Sequence, residues 1–520
     1  MLTSFLKLAA VASLAGAVVA QSCKVDSGNG VHVPGAVPVS DVEPLQHRLA
    51  FAGDGMTISW NTFAKLDAPT VRYGFSPDKL EFQATTNLST TFPTSRTWNN
   101  HVKLHNLEPG TTYYYQVSHT NIGNSAYLPT FKFKSAAAPG SEEPLKIAVV
   151  GDLGLMGEDG LSTRYGPFGG IEHAVLDANE TNTIQSLLAM KDTYSALLHY
   201  ADYFLRESVQ GYFGTDNSST QPTREMVAKK YESLSEQFFD QMRPISAEKP
   251  WMVAPGNHEA NCDNGGYTDK RAAIQYTDDW CLPGQTNFTW FLEHFKMPSY
   301  ESGGRGSMWW SQTVGMAHII SLNTETDLGA DLVGPIENST NNVNGPFGAP
   351  NEQVEWLKAD LEKVDRSVTP WVIVQLHRPW YTSMSPPAWP AWQQAFEQIF
   401  MDYGVDIYFT GHVHTYERFL PMFNGTIDPA GYNNPRAPVP ILLGNGGHYD
   451  GLDEFEGPER ANGTAFATDQ EYGWTHLTLH NRTHLELRSI AARNSSVIDS
   501  VVLYKEHDYP SKKYCGKFKC

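Results

Sequence analysis

Short apolar runs, each broken by glycine, proline or a polar cluster, recur along the chain. Between Gln46 and about Lys134 apolar and polar residues alternate, as in Met56-Thr57-Ile58-Ser59-Trp60, Thr70-Val71-Arg72-Tyr73-Gly74, Thr112-Tyr113-Tyr114-Tyr115-Gln116-Val117 and Thr130-Phe131-Lys132-Phe133-Lys134. Alternation sends successive side chains to opposite faces of a strand, and turn formers such as Gly53-Asp54-Gly55 and Glu108-Pro109-Gly110 separate the runs. The spacing predicts a small antiparallel β-sandwich over 43–137. A linker with Ala136-Ala137-Ala138-Pro139-Gly140 follows.

Beyond it the pattern changes. Strand-like runs at Leu145–Val150, Trp251–Ala254, His318–Asn323, Trp371–Leu376, Val405–Thr410 and Ile441–Leu443 are interleaved with helical periodicity at Ile184–Leu198 and Thr223–Met242, the first of which ends in a strand-like Ala196-Leu197-Leu198. Gly473–Ser489 reads as a hairpin. Strands mixed with helices predict a layered α/β domain over 138–505, with functional groups on loops at strand ends.

At 520 residues the chain exceeds one ordinary core, in keeping with two domains. Residues 1–20 carry Lys7, an apolar stretch and Ala17-Val18-Val19-Ala20, the pattern of a cleaved secretory signal; 21–42 then reads as an extended leader and 506–520 as a Cys-containing tail. No later apolar run approaches the ~18 residues of a membrane span, so the expectation is an extracellular protein with no membrane partner. The formal charge of −19 becomes −20 when Lys7 leaves with the signal. So acidic a chain argues against nucleic acid as a partner, and an anionic substrate needs a local positive centre, most simply metal ions.

Nine Asn-x-Ser/Thr sequons stand at Asn87, Asn179, Asn217, Asn287, Asn338, Asn424, Asn462, Asn481 and Asn494, candidates for glycosylation on a secreted chain. Cys262 and Cys281 bracket one Gly/Asp-rich loop and are expected to form a disulfide; the pairing among Cys23, Cys515 and Cys520 is open.

Candidate chemistry concentrates where strands end. Asp152 lies in Gly151-Asp152-Leu153-Gly154, Asn257 and His258 in Pro255-Gly256-Asn257-His258-Glu259, His377 in Gln375-Leu376-His377-Arg378-Pro379, and His412 and His414 in Gly411-His412-Val413-His414. Each motif follows its own apolar run. Carboxylate, amide and imidazole are ligands for hard or borderline metals, so the set predicts a metal-centred hydrolase if the sheet gathers these ends.

These motifs resemble the calcineurin-like metallophosphoesterase signature, and within it the purple acid phosphatases of fungal type. Asp152-Leu153-Gly154 lacks the Asp-x-His of other branches, Tyr200-Ala201-Asp202 matches the end of the second motif of this one, and a fibronectin-III-like β-sandwich ahead of a layered α/β-β/α catalytic domain is typical of larger members. The resemblance implies an acid phosphatase with a dinuclear centre: Asp152, Tyr200 and His414 holding Fe(III), and Asn257, His377 and His412 holding divalent iron, zinc or manganese. It makes His258 the catalytic residue, as phosphate ligand or proton donor to the leaving group. It also implies small phosphomonoester substrates, with phytate among the candidates.

One departure stands out. The family's second motif is Gly-Asp-x-x-Tyr, with an Asp bridging both metals; here Leu197-Leu198-His199 precede Tyr200, as though about five residues were absent after His199. Asp202 is the nearest substitute. The departure leaves a second expectation open, a pseudoenzyme or weakened single-metal binding glycoprotein of the same fold. Arg378, Trp380 and Tyr381 are candidates for shaping the pocket, or equally for packing the loop.

Overall fold

The computed structural model describes residues 23–26, 32–35, 40–119, 128–156, 176–200, 224–260, 268–269, 274–275, 288–325, 351–384, 390–448 and 451–507. The signal, Asp202, Cys262, Cys281, Cys515, Cys520, Asn217, Asn287 and Asn338 lie outside them. The remaining sequon asparagines, Asn87, Asn179, Asn424, Asn462, Asn481 and Asn494, are all exposed.

Two four-stranded antiparallel sheets form the N-terminal sandwich: Phe131–Lys134, Thr112–His119, Pro69–Gly74 and Phe82–Thr85 in one, Leu45–Ala52, Gly55–Thr62, Trp98–Leu104 and Ser89–Thr90 in the other. Met56, Ile58 and Trp60, two apart, are fully buried with Val71, Val102, Tyr115 and Phe133 in the same apolar cluster. The sandwich is fastened to the second region by Arg48. Its Nη2 donates to Asn61 Oδ1 at 2.8 Å and to the His294 carbonyl at 3.3 Å, and its guanidinium lies 4.4 Å from the Phe239 ring centroid. Burial lowers its pKa to about 9, so polar partners and the ring face keep the cation affordable.

The second region holds two mixed sheets. One runs Trp251–Ala254, Ala196–Tyr200, Leu145–Gly151, Gly473–Leu479, His484–Ala491, Val497–Tyr504, its first three strands parallel. The other runs Trp310–Val314, Ala317–Ser321, Trp371–Gln375, Ile407–Thr410, Val439–Leu443, Tyr416–Phe419, Thr464–Thr468, parallel from Ala317 to Leu443. Period-2 geometry assigns the faces. Ile319, Ile373, Phe409 and Ile441 join Ile147, Val149 and Leu477 of the other sheet in one core. Ile320, Val372, Val374 and Tyr408 turn instead to Leu357 of the helix Glu352–Leu361 and Phe396 and Phe400 of the helix Pro390–Asp402. The sequence pattern predicts no element at Pro390–Asp402, yet a helix forms, because Trp392, Phe396 and Phe400 stack along one side and bury together. The predicted helical stretch near 223–242 is the helix Arg224–Ser246.

Asp406, just before the strand Ile407–Thr410, clamps the amino ends of the sheets. Its carboxylate lies 2.8 Å from Lys505 Nζ, beyond the last strand of the other sheet, and 3.2 Å from Arg366 Nη2, and accepts the Val372 N–H at 2.7 Å. Burial opposes its charge, but Arg366 and Lys505 outweigh burial and hold the pKa at about 2. A depressed carboxyl stabilises the fold above its unfolded value of about 4 and loses that contribution as pH falls towards 2. Urea midpoints of the wild type should therefore fall across that window. Asp406→Asn should be less stable by about 3–5 kcal/mol at pH 6, the buried pair with Lys505 and the partly buried one with Arg366 being broken, and should lack its share of the fall between pH 4 and 2. Equal midpoints at pH 6 would remove the clamp from the account.

Candidate metal centre

Parallel strands in both sheets end on one side of the core, and the polar motifs follow them there. Asp152 comes directly after Leu145–Gly151, Asn257 three residues after Trp251–Ala254, His377 two after Trp371–Gln375, and His412 two after Ile407–Thr410. Glycine makes the approach possible. A Cβ on Gly411 would fall 2.1 Å from Asp152 Oδ2, so only glycine lets the Asp152 carboxylate tuck beneath the His412 loop. Asp152 and His412 both take left-handed backbone, φ 53° and 69°, a strained conformation for a residue with a side chain, of the sort that collects at functional sites. The two are tied together, since the His412 N–H donates to Asp152 Oδ2 at 3.0 Å and Oδ1 at 3.1 Å.

Three ligand-type atoms converge in a triangle. Asn257 Oδ1 lies 2.7 Å from His377 Nε2 and 2.7 Å from His412 Nδ1, and those two nitrogens are 3.0 Å apart. Neighbouring donors around an octahedral ion with bonds of about 2.1 Å are about 3.0 Å apart, so this triangle closes on a divalent ion with little movement. On its other side, Asp152 Oδ1 is 3.9 Å from His377 Nδ1 and 3.6 Å from His414 Nε2. Asp152 and His377 are fully buried and His414 nearly so. Asn257, His377 and His412 thus fit a metal ion, and Asp152 and His414 adjoin them, linked through His377 Nδ1 and the His412 N–H rather than through the triangle's own atoms. Among the described residues no three His, Cys, Asp or Glu side chains converge on an ion by themselves.

Tyr200 is placed differently. It is the last paired residue of its strand, in register with Gly151 on one side and Ala254 on the other. Its ring packs against Gly151, where an added Cβ would lie 2.5 Å from Cε2, and its hydroxyl donates to the Leu443 carbonyl at 3.2 Å. Burial first, then the Asp152 carboxylate and Tyr416, push its pKa well above the ordinary tyrosine value. Next to Asp152 but bonded to backbone, it stands where a strand residue stands.

His258 is buried beside the group on the short helix Asn257–Ala260, with Glu259 accepting the Gly256 N–H at 2.8 Å and fixing the loop. Around these the structure adds residues that the sequence motifs do not single out. Gly451 carbonyl accepts from His414 Nδ1 at 3.0 Å, which turns Nε2 inwards, and Asp453 Oδ2 accepts the His414 N–H at 2.8 Å. Such partners fix the orientation of a ligating imidazole. His448 lies against both His258 and His414. Its signal was available in Gly444-Asn445-Gly446-Gly447-His448, which follows the strand Val439–Leu443 as Gly411-His412 follows its own. Arg378 does not face the metal group: its guanidinium makes a two-pronged pair with Glu325, Nε–Oε1 at 2.8 Å and Nη2–Oε2 at 2.7 Å. Trp380 stacks on Tyr408, centroids 4.8 Å apart, and Tyr381 bonds to Glu397, so both pack the fold. A cavity of about 560 Å³ lies where sandwich, linker and second region meet, near His318 and Asp360 and away from this centre.

Comparison with known proteins identifies the family. Residues 44–135 match the purple acid phosphatase N-terminal domain, 145–416 the calcineurin-like phosphoesterase domain, and 437–500 the iron/zinc purple acid phosphatase-like C-terminal domain. Acid phosphatase A of Cryphonectria parasitica is 35% identical over 500 residues, covering 91% of this chain and 94% of that protein. The acid phosphatase of Aspergillus ficuum is 30% identical, covering 92% and 91%. The structure of purple acid phosphatase PPD1 from yellow lupin seeds shares the fold, with a TM-score of 0.66 at 21% identity over 90% of this chain and 75% of that one. These three successive domain matches and the fungal relatives, on a sandwich followed by two stacked sheets, place the chain in the purple acid phosphatase family of calcineurin-like metallophosphoesterases.

Proposed function

We propose that this chain is a secreted, glycosylated acid phosphatase that hydrolyses phosphate monoesters at a dinuclear centre. The observation that carries the reading is the triangle of Asn257 Oδ1, His377 Nε2 and His412 Nδ1, each within 3.0 Å of the others. Asn257, His377 and His412 would hold a divalent iron, zinc or manganese ion, and Asp152 and His414, with Tyr200 as the family pattern has it, an Fe(III). Bound there, the metals would supply positive charge for the phosphoryl oxygens and acidify a water. Asn257 and the imidazoles leave that charge largely uncancelled, and Asp152 is the carboxylate shared between the two halves of the group. His258, beside the metal group, would hold a proton for the departing alkoxide. Simple monoesters, including phytate, suit a centre that reads a terminal phosphate.

A second reading keeps the fold and the triangle but has one ion or none and little turnover. Its support is Tyr200, whose hydroxyl is on the Leu443 carbonyl, together with the absence of Gly-Asp before it in the sequence. Metal analysis and p-nitrophenyl phosphate assays on the purified protein separate the two. Two ions per chain, a visible absorption band and acid-pH turnover support the first reading. One ion or none, no band and no turnover support the second.

A further inference from the structure

His448 is a buried imidazole that the ligand set does not use. Its ring centroid is 4.6 Å from that of His258 and 4.7 Å from that of His414, with interplanar angles of 60° and 57°. It therefore packs at once against the proposed proton donor and a proposed metal ligand. The loop carrying it is built for close approach. A Cβ on Gly444 would fall 2.0 Å from the Val413 carbonyl oxygen, one on Gly446 2.2 Å from the Gly151 oxygen, and one on Gly447 2.8 Å from Met156 Cε. Gly447 also has φ 120°, a conformation that L side chains rarely adopt. Backbone bonds pin the loop to the site: Gly446 N–H to the Gly151 carbonyl at 3.0 Å, Gly154 N–H to the Gly447 carbonyl at 3.2 Å, and Gly451 N–H to the His448 carbonyl at 3.0 Å. The same loop supplies the Gly451 carbonyl that orients His414.

We propose that His448 is a positioning residue, its ring held between His258 and His414 so that His258 keeps one orientation towards the substrate phosphate. The inference rests on the phosphatase reading for its kinetic arm only. Contact through the ring face and edge is a matter of shape, so phenylalanine replaces it and alanine does not. A tilted aromatic pair contributes through packing rather than proton transfer.

The test uses full-length protein and two variants, His448→Ala and His448→Phe. The rate of His258 modification by diethyl pyrocarbonate, mapped by mass spectrometry, reads ring freedom without needing turnover or metal. It should rise about 5-fold or more in His448→Ala and stay within about 2-fold of wild type in His448→Phe. With metal loaded and metal content equal, His448→Ala should lower kcat about 10-fold at near-constant KM, with more loss for alkyl phosphates than for p-nitrophenyl phosphate, and His448→Phe should restore it. Unchanged His258 modification in His448→Ala overturns the proposal, as does equal loss of metal and kcat in both variants. If His448→Ala does not fold, His448→Asn takes its place in both arms. A wild type without turnover counts against the phosphatase reading, while the modification rates still decide the role of His448.

Discussion

If Asn257, His377 and His412 hold an ion as proposed, His412→Ala is expected to release it and to lower kcat by at least about 10²–10³-fold, the scale lost when one charge-stabilising contact is removed from a transition state. The effect is large because His412 acts twice. Its Nδ1 completes the triangle, 2.7 Å from Asn257 Oδ1 and 3.0 Å from His377 Nε2. Its N–H meanwhile holds the buried Asp152 carboxylate, and that contact survives the substitution. Alanine therefore removes the ligand and leaves the neighbouring loop tied, so a folded, metal-poor protein is the outcome. Histidine already bears the strain of φ 69° and alanine inherits it, so Tm should change little. Full metal occupancy with unchanged turnover in this variant would remove the site from consideration.

Inserting a Gly-Asp-containing segment between His199 and Tyr200, to recreate Gly-Asp-x-x-Tyr, is expected to raise kcat by about 100-fold or more and to bring a visible band with a second ion. Charges of +3 and +2 about 4 Å apart repel by roughly 25 kcal/mol at an effective dielectric of about 20, so anionic bridges decide whether both ions stay. In this chain Tyr200 closes its strand, paired with Gly151 and Ala254. Added residues would put Gly-Asp at that strand end, beside Asp152, and carry the tyrosine into the loop, away from the Leu443 carbonyl. A burial-raised phenol is a poor ligand while it donates to that carbonyl, so its release is part of the gain. If the insertion changes neither metal content nor rate, another carboxylate already bridges.

Local pattern sufficed for the two-region architecture. Alternating runs mark the sandwich and interleaved strands and helices mark the α/β region, because period-2 burial and glycine-terminated strands are short-range properties. The same grammar picked out Asp152, Asn257, His258, His377, His412 and His414, each following a buried strand. It was weaker where packing rather than periodicity decides, as in the aromatic face of Pro390–Asp402.

From the sequence alone, then, came the residue types at each strand end and the family they resemble. Which of those ends meet came only from tertiary structure. Asp152 and His412 are 260 residues apart, and sheet order and stacking alone join them. The same long-range geometry turned Arg378 to Glu325, set the Tyr200 hydroxyl on Leu443 and wedged His448 between two histidines. A side chain's neighbours across two sheets depend on register and on how the sheets stack, and neither is written in any single stretch of the chain.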